Sequence, residues 1–269
     1  MCIIICKPYG KKVPLNHLEE AFKRNPDGAG IAYTTGNGIT IKKGFFDYNH
    51  FLKKCQKYNR EDVATVFHFR IATHGGVNLK LCHPFPITAE NTDIEKKKLT
   101  HLKYAVAHNG VLRLNGLKIE EDDSDTTAFI KTHLHPIYTV REEKIAKNEE
   151  VANYDNIIES LINGSKLAII GDNGYIKRYG RGWQEDNGIY YSNSSYQKIT
   201  YQNNWSRWQN KNANRWNEWG DNDTGYFGGS YWINGRIATD NEYKAYNEQR
   251  KQEFAEAEAE WYESLRGSK

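Results

Sequence analysis

The chain has 269 residues, and its 37 Lys and Arg residues against 34 Asp and Glu residues give a net charge of +3. A charge so close to zero does not by itself indicate a polyanionic partner. The early apolar run from Cys2 to Cys6 is far shorter than the roughly 20 residues of a membrane-spanning helix. Because the residues after this run do not form a signal peptide, we expect a cytoplasmic protein without a membrane partner. The four cysteines lack C-x-x-C spacing, so neither a disulfide framework nor a metal site is expected.

Up to about residue 200, apolar runs alternate with turn signals and predict strands and helices. Leu15, Leu18 and Phe22 recur at helical spacing before a stop at Asn25, and a turn at Gly36 joins two short strands. The predicted strands are 1–7, 29–34, 39–43, 63–73, 103–108, 167–170, 175–179 and 188–191, and the predicted helices are 15–24, 48–58, 124–133 and 153–162. Grouped strands interrupted by helices favour an α+β fold over a doubly wound parallel sheet.

The composition changes sharply near residue 200, and we predict a domain boundary there. The segment 201–237 is rich in Trp, Asn and Gly with few aliphatic residues, so we predict a flexible linker that has no conventional core. From 238 to 269, apolar residues fall three or four positions apart in a charged background, which predicts an amphipathic helix with a narrow apolar stripe. Such a stripe needs a partner surface.

Cys2 directly follows the initiator Met1, and this position has a chemical consequence. Removal of Met1 leaves one residue with both a thiol and a free α-amino group. Because the thiol has an ordinary pKa of about 8.5 and the amine one of about 7.7 to 8, the free amine can take the thiol proton at neutral pH. A cysteine in an apolar strand also fits a small core residue, so Cys2 alone does not decide the function.

Polar and aromatic side chains alternate along the strand predicted at 63–73, with His68 and Arg70 on its polar face. The guanidinium group of an arginine is a planar fork that suits a carboxylate. Arg70, with the hydroxyl of Thr73 and the imidazole of His74 close behind it, is therefore a candidate substrate clamp. The alternative is that Arg70 is a surface residue in a salt bridge.

Two further segments carry groups suited to catalysis. In His108-Asn109-Gly110, the asparagine amide and the glycine N–H can form an oxyanion hole, although Asn-Gly is also the commonest hairpin-turn signal. In Ser124-Asp125-Thr126, all three residues fit a helix N-terminus, and the Asp125 carboxylate can also bind an ammonium group.

Taken in order, these features resemble the class II glutamine amidotransferases, the N-terminal-nucleophile family. The resemblance extends over roughly residues 2 to 195, and we recognise no synthase domain of the family beyond it. The segments that carry it are Met1-Cys2, the loop around Gly30, His68-x-Arg70-x-Ala72-Thr73-His74-Gly75, His83-Pro84-Phe85, His108-Asn109-Gly110 and Ser124-Asp125-Thr126.

This resemblance implies an Ntn-hydrolase fold, an αββα four-layer sandwich of two antiparallel sheets between helices. It implies that L-glutamine is the substrate and that Cys2 forms a γ-glutamyl thioester while ammonia leaves. We expect no metal and no cofactor. The implied site residues are Cys2, Asn109 and Gly110 for catalysis, Arg70, Thr73, His74 and Asp125 for substrate binding, and His68, Gly30 and His108 in supporting positions.

Other interpretations stay open. The same fold can hydrolyse another γ-glutamyl amide or peptide, or serve as a catalytically silent binding protein if Met1 is retained. The mixture of Trp and Arg at 205–208 and 214–216 is also found in proteins that bind single-stranded nucleic acid, although the near-neutral charge favours a tail that docks on protein. Because the family's synthases join a glutaminase to an acceptor domain, we expect an ammonia-accepting synthase in trans that docks on 201–269.

Overall fold

The structure, a computed structural model, describes residues 2–72, 77–90, 96–112, 124–150, 153–198, 225–227, 230–233, 236–239, 241–242, 244–246 and 248–249. Within these residues, no helix is long and apolar enough to cross a membrane. The chain divides into two units, Met1–Gln197 and Lys198–Lys269. The domain limits that composition predicts at 200 and 237 remain predictions.

The first unit alternates short strands and helices. In chain order these are β1 (Ile3–Lys7), α1 (Leu15–Arg24), β2 (Ala29–Thr35), β3 (Gly38–Phe45), α2 (Tyr48–Cys55), β4 (Thr65–Phe69), β5 (Phe85–Pro86), β6 (Lys98–Leu102), β7 (Tyr104–Asn109), α3 (Asp125–Phe129), α4 (His135–Ala146), α5 (Asp155–Leu161), β8 (Lys166–Gly171), β9 (Ile176–Tyr179), β10 (Gln184–Asp186) and β11 (Ile189–Tyr191). The strands form a seven-stranded sheet, β10-β11-β1-β4-β2-β3-β6, and a four-stranded sheet, β5-β7-β8-β9. All pairings in both sheets are antiparallel.

Side chains that alternate along the strands stack the sheets between helices. In β1, Ile4 and Cys6 lie in a core shared with β7 and β8 of the other sheet, whereas Ile3 and Ile5 pack towards α1 and α2. The opposite face of the smaller sheet forms a third core with the helices α3, α4 and α5. Both faces of β1 are buried, which explains its continuous apolar run. The predicted αββα four-layer sandwich is therefore confirmed.

In the first unit, the eight predicted strands are present with ends that differ by a few residues, and the three strands β5, β6 and β10 were missed. β5 has two residues, and β6 is a mostly exposed strand with polar residues at three of its five positions. The helix end predicted near residue 133 is wrong, because a π-helical turn, Ile130–Leu134, carries α3 directly into α4. Pro136 follows this π-helical turn at the start of α4, and it has no N–H to donate to a carbonyl of the preceding turn.

The second unit contains regular structure where a linker is predicted. Strands β12 (Gly225–Phe227), β13 (Ser230–Ile233) and β14 (Arg236–Ala238) form an antiparallel sheet. The sequence reason is the high strand propensity of aromatic residues, combined with Gly-Gly and Asn-Gly pairs between the strands, which are typical of hairpin turns.

Part of the helix predicted at 238–269 lies within the described residues. Helical backbone is present at 241–242, 244–246 and 248–249, and the remaining positions of the predicted helix lie outside the described part of the chain. The extent of this helix and its apolar stripe stay predictions.

Packing of α2 on the larger sheet should contribute strongly to stability. Phe51 is fully buried, and its ring centroid lies 5.1 Å from that of Phe69 and 6.1 Å from that of Phe22. We expect Phe51→Ala to lower the free energy of unfolding by about 3–5 kcal/mol, measured by urea denaturation of the full chain. Ile157→Ala, at a position 49% exposed on α5, is the control and should cost much less. Equal losses in the two variants would contradict this packing.

Candidate functional site

Strand pairing brings Cys2 to the end of β4. β1 pairs with β4 so that Ile3 lies opposite Phe69. Cys2, one residue before Ile3, therefore reaches the residues just beyond the strand. Its Sγ lies 3.6 Å from the carbonyl oxygen of Ile71 and 3.5 Å from the Ile71 nitrogen. The candidate nucleophile and the candidate clamp Arg70 thus lie at the same end of one sheet.

The environment of the Cys2 thiol keeps it protonated. Burial raises the pKa of Cys2 above its ordinary value, and the smaller opposing effects of the Ile71 N–H, the N-terminal charge and Arg70 do not reverse this. Because the thiolate is the nucleophilic form, a thiol in this position needs a base to react at neutral pH.

The loop after α1 fixes the backbone around Arg70. The Arg70 nitrogen donates to the Gly28 carbonyl at 2.8 Å, and the Arg70 carbonyl accepts from the Asp27 nitrogen at 2.9 Å. The Asp27 carboxylate accepts a further hydrogen bond from the Ala72 nitrogen at 2.7 Å. Arg70 and Asp27 are both buried. Sequence reasoning missed Asp27, since an aspartate before glycine is also an ordinary helix-stop signal.

Gly30 allows two segments to approach closely. It lies opposite His68 in the pairing of β2 with β4. A Cβ atom at Gly30 would lie 2.2 Å from the carbonyl oxygen of His83, a distance that no side chain tolerates. Gly30 therefore supports the site by leaving room for the His83 backbone.

Three histidines form a buried cluster beneath the site. His68 Nε2 lies 3.0 Å from the His108 carbonyl oxygen, and the His68 and His83 ring centroids are 4.4 Å apart. Thr126 Oγ1 lies 2.8 Å from His108 Nδ1 and 3.4 Å from His83 Nε2. The second ring nitrogen of each histidine has no hydrogen-bond partner among the described residues.

Burial keeps these histidines neutral. It lowers the pKa of His68 to about 3 and that of His108 to about 4, and it holds the pKa of His83 well below its ordinary value. At neutral pH the cluster therefore carries no charge, which fits a supporting position. Among the described residues, no group of three metal-ligating side chains could hold an ion.

Asn109 ends β7 and lies against the segment that follows β11. Its Nδ2 is 2.8 Å from Ser192 Oγ, and its Oδ1 is buried with no partner within the described structure. Ser192 Oγ also accepts from the Ile4 nitrogen at 2.9 Å. The next residue, Asn193, donates from Nδ2 to the Cys2 carbonyl at 2.7 Å. Sequence reasoning missed Ser192 and Asn193, because a Ser-Asn pair after a short strand has the form of an ordinary loop.

The position of Gly110 requires glycine. Its φ is +141°, and a Cβ atom there would lie 2.4 Å from Ser165 Oγ and 3.0 Å from Ser165 Cα. The backbone after Asn109 thus passes directly over Ser165. Any larger residue would displace the N–H groups that are predicted to face the oxyanion.

Asp125 connects the start of α3 to the segment after Gly110. Ser124 caps α3 by accepting from the Thr127 nitrogen at 3.1 Å. Asp125 Oδ2 accepts from the Leu112 nitrogen at 2.8 Å. The carboxylate therefore orders the chain beyond the oxyanion residues, and its pairing with a substrate ammonium stays a prediction. The predicted binding residues Thr73 and His74 lie outside the described part of the chain.

The histidine cluster predicts acid sensitivity. Between the ordinary histidine pKa of 6.5 and the folded-state values of about 3 for His68 and about 4 for His108, the unfolded chain binds protons that the folded chain does not. The free energy of unfolding should therefore fall as pH decreases from 7 to 5, by up to about 1.4 kcal/mol per pH unit for each such histidine. Urea denaturation at several pH values measures this slope.

Two variants isolate the contribution of the cluster. His83→Gln should make the fall of the unfolding free energy with decreasing pH shallower, by about the contribution of one bound proton. Asn49→Gln, at an exposed position on α2 without a titratable group, should keep the parent slope. An identical slope in the parent and in His83→Gln would show that this histidine does not titrate on unfolding.

Part of the chain is similar to curated sequences. Over 158 residues, 58% of this chain, it is 27% identical to the isomerizing glutamine–fructose-6-phosphate aminotransferases of Bacillus cereus and Bacillus anthracis. It is 28% identical over 163 residues to the same enzyme of Oceanobacillus iheyensis. The alignments span only 24% of the length of each of these relatives.

A solved structure also matches. Glutamine phosphoribosylpyrophosphate amidotransferase from B. subtilis aligns with a TM-score of 0.40 and 16% sequence identity, over 71% of this chain and 41% of that one. No family model matches the chain.

Proposed function

We propose that this chain carries a class II glutamine amidotransferase domain, which releases ammonia from L-glutamine through a γ-glutamyl thioester on Cys2. The observation that supports the proposal is the placement of the Cys2 thiol 3.5 Å from the Ile71 nitrogen, at the sheet end that also holds Arg70. Hydrolysis of an amino-acid amide needs a nucleophile that attacks the amide carbon and a cation that binds the α-carboxylate, and the Cys2 thiol and Arg70 are suited to these two roles.

The first step requires a base, because burial raises the pKa of the Cys2 thiol. We assign this role to the α-amino group of Cys2 after removal of Met1. The amine takes the thiol proton, and Sγ forms a bond to the side-chain carbonyl carbon of glutamine. When the C–N bond breaks, the proton passes to the leaving nitrogen, and ammonia departs.

The second step restores the thiol. Water attacks the thioester carbon and gives a proton to the same α-amino group. The C–S bond then breaks, glutamate leaves, and the proton returns to sulfur. The balance of both steps is glutamine and water to glutamate and ammonia.

We assign substrate position and charge stabilisation to the residues that the sequence predicts for the site. Arg70 holds the α-carboxylate of glutamine with help from Thr73 and His74, and Asp125 pairs with its α-ammonium group. The oxyanion of each tetrahedral intermediate lies against the Asn109 amide and the Gly110 N–H. Donors that already point at the developing charge stabilise it without reorganisation.

Covalent labelling tests the proposal. Intact-mass measurement after exposure to a diazo-ketone analogue of glutamine should show a chain without Met1 that carries one adduct. Cys2→Ala should form no adduct and should lose glutamine hydrolysis by at least about a thousandfold. Cys55→Ala, which removes a buried thiol at the end of α2, should keep both. Hydrolysis of γ-glutamyl peptides but not glutamine would instead assign the site to those substrates.

An added N-terminal residue tests the base. A chain with one glycine added before Cys2 keeps the thiol, but the Cys2 nitrogen is then part of a peptide bond and cannot act as the base. We expect its turnover of glutamine to be about 100- to 10,000-fold lower. Equal turnover with and without the glycine would exclude the amine as the base. A chain that retains Met1 and forms no adduct would indicate a binding protein of the same fold.

We further propose that the ammonia passes to an acceptor enzyme in trans. Residues 201–269 combine several Trp and Tyr residues with the predicted amphipathic helix, a composition suited to docking on a protein. Binding of single-stranded nucleic acid by the same segment is the alternative, and it would show as salt-sensitive binding of an oligonucleotide.

Removal of residues 198–269 separates hydrolysis from docking. Because every described contact of the site lies within residues 2–193, the shortened chain should hydrolyse glutamine with a kcat/KM within about twofold of the full chain. Transfer of ammonia to the acceptor should require the full chain. A shortened chain that folds but has lost glutamine hydrolysis would show that the second unit completes the site.

A further inference from the structure

We propose that Ser192 is a positioning residue for this hydrolysis: its hydroxyl holds the Asn109 amide in the orientation in which Nδ2 faces the oxyanion. The inference rests on the proposed function of Cys2. It adds a residue that carries no catalytic group itself and that acts through Asn109.

Ser192 lies where the two sheets meet, and hydrogen bonds from both sheets fix it. From the larger sheet, its nitrogen donates to the Ile4 carbonyl at 2.9 Å and its Oγ accepts from the Ile4 nitrogen at 2.9 Å. From the smaller sheet, its carbonyl accepts from Lys166 Nζ, and Lys166 is the residue opposite Asn109 in the pairing of β7 with β8. Ser192 is only 1% exposed. The hydroxyl is therefore held firmly beside the Asn109 amide.

A count of donors and acceptors shows which amide orientation satisfies this hydroxyl. A serine hydroxyl has one proton to donate and two lone pairs. In the structure, the Ile4 nitrogen and Asn109 Nδ2 both donate to Ser192 Oγ, which leaves its proton without an acceptor in the described part of the chain. Asn109 Oδ1 is at the same time buried without a donor. The Ser192 hydroxyl proton and Asn109 Oδ1 thus both lack a hydrogen-bond partner among the described residues.

A half-turn of the Asn109 amide about its Cβ–Cγ bond gives both of these groups a hydrogen-bond partner. The Ser192 hydroxyl then donates to Oδ1 while it still accepts from the Ile4 nitrogen, so serine is fully satisfied. Nδ2 takes the buried position that Oδ1 had, which no donor of the described residues contacts. A negative oxygen that forms at this position receives a hydrogen bond from a donor already in place, which is the arrangement that an oxyanion hole requires.

This assignment links the nucleophile to the oxyanion hole through two adjacent residues. Asn193 holds the Cys2 carbonyl from one side at 2.7 Å, while Ser192 holds the Asn109 amide from the other at 2.8 Å. The segment after β11 therefore contacts both the residue that carries the proposed nucleophile and the residue that carries the proposed oxyanion donor.

The test is Ser192→Ala in the full chain, with Ser194→Ala as control at an exposed position two residues away. We expect Ser192→Ala to lower kcat for glutamine hydrolysis by about 10- to 100-fold with KM little changed, because a misoriented donor weakens transition-state binding alone. Alkylation of Cys2 by iodoacetamide, followed by intact mass, should proceed at the parent rate. Ser194→Ala should match the parent chain in all three quantities.

A double-mutant cycle with Asn109→Ala distinguishes positioning from general damage to the fold. If Ser192 acts through Asn109, Ser192→Ala has no further effect on kcat once Asn109 is alanine. Effects that multiply, or a Ser192→Ala chain with parent kcat, would overturn the proposal while the Cys2 function stands. A parent chain that neither hydrolyses glutamine nor forms the adduct would overturn both.

Discussion

The antiparallel pairing of β1 between β4 and β11 is the constraint on which the candidate site depends. Because β1 begins at Ile3, Cys2 can only lie at the end of the larger sheet. On the side of β1 that pairs with β4, the Cys2 thiol lies against Ile71. On the side that pairs with β11, the Cys2 carbonyl lies against Asn193. A shift of one residue in either pairing would move every β1 side chain to the opposite face, which the apolar cores on both faces of β1 prevent.

The candidate site also depends on the smaller sheet, and close backbone packing brings this sheet against the larger one. Asn109 and Gly110 follow β7 of the smaller sheet, and they meet the larger sheet through the contact of Asn109 with Ser192. Gly110 and Gly30 each leave a space that a side chain would fill, over Ser165 and beside the His83 backbone respectively. Predicted site residues from two different sheets can therefore lie close together.

Burial governs the chemistry as well as the packing. It raises the pKa of the Cys2 thiol, which makes the nucleophile dependent on a base, and it lowers the pKa of His68 and His108 so far that they are neutral at pH 7. Such low pKa values make these two imidazoles weak bases, so they are unsuited to take the thiol proton. The α-amino group proposed for this role belongs to the nucleophile itself, so its position follows from that of the thiol.

The sequence by itself determined the α+β class of the fold and the chemistry of the main groups, and the family resemblance implied the order of the layers. Period-two alternation and continuous apolar runs indicate which strands are buried on one face or on two, and Cys2, Arg70 and Asn109 stand in recognisable short motifs. Only the tertiary structure decided that Asp27 and Ser192 contact the candidate site, because each forms a hydrogen bond to a residue at least 45 positions away. Local patterns carry no information on such pairs, since the register between distant strands brings them together.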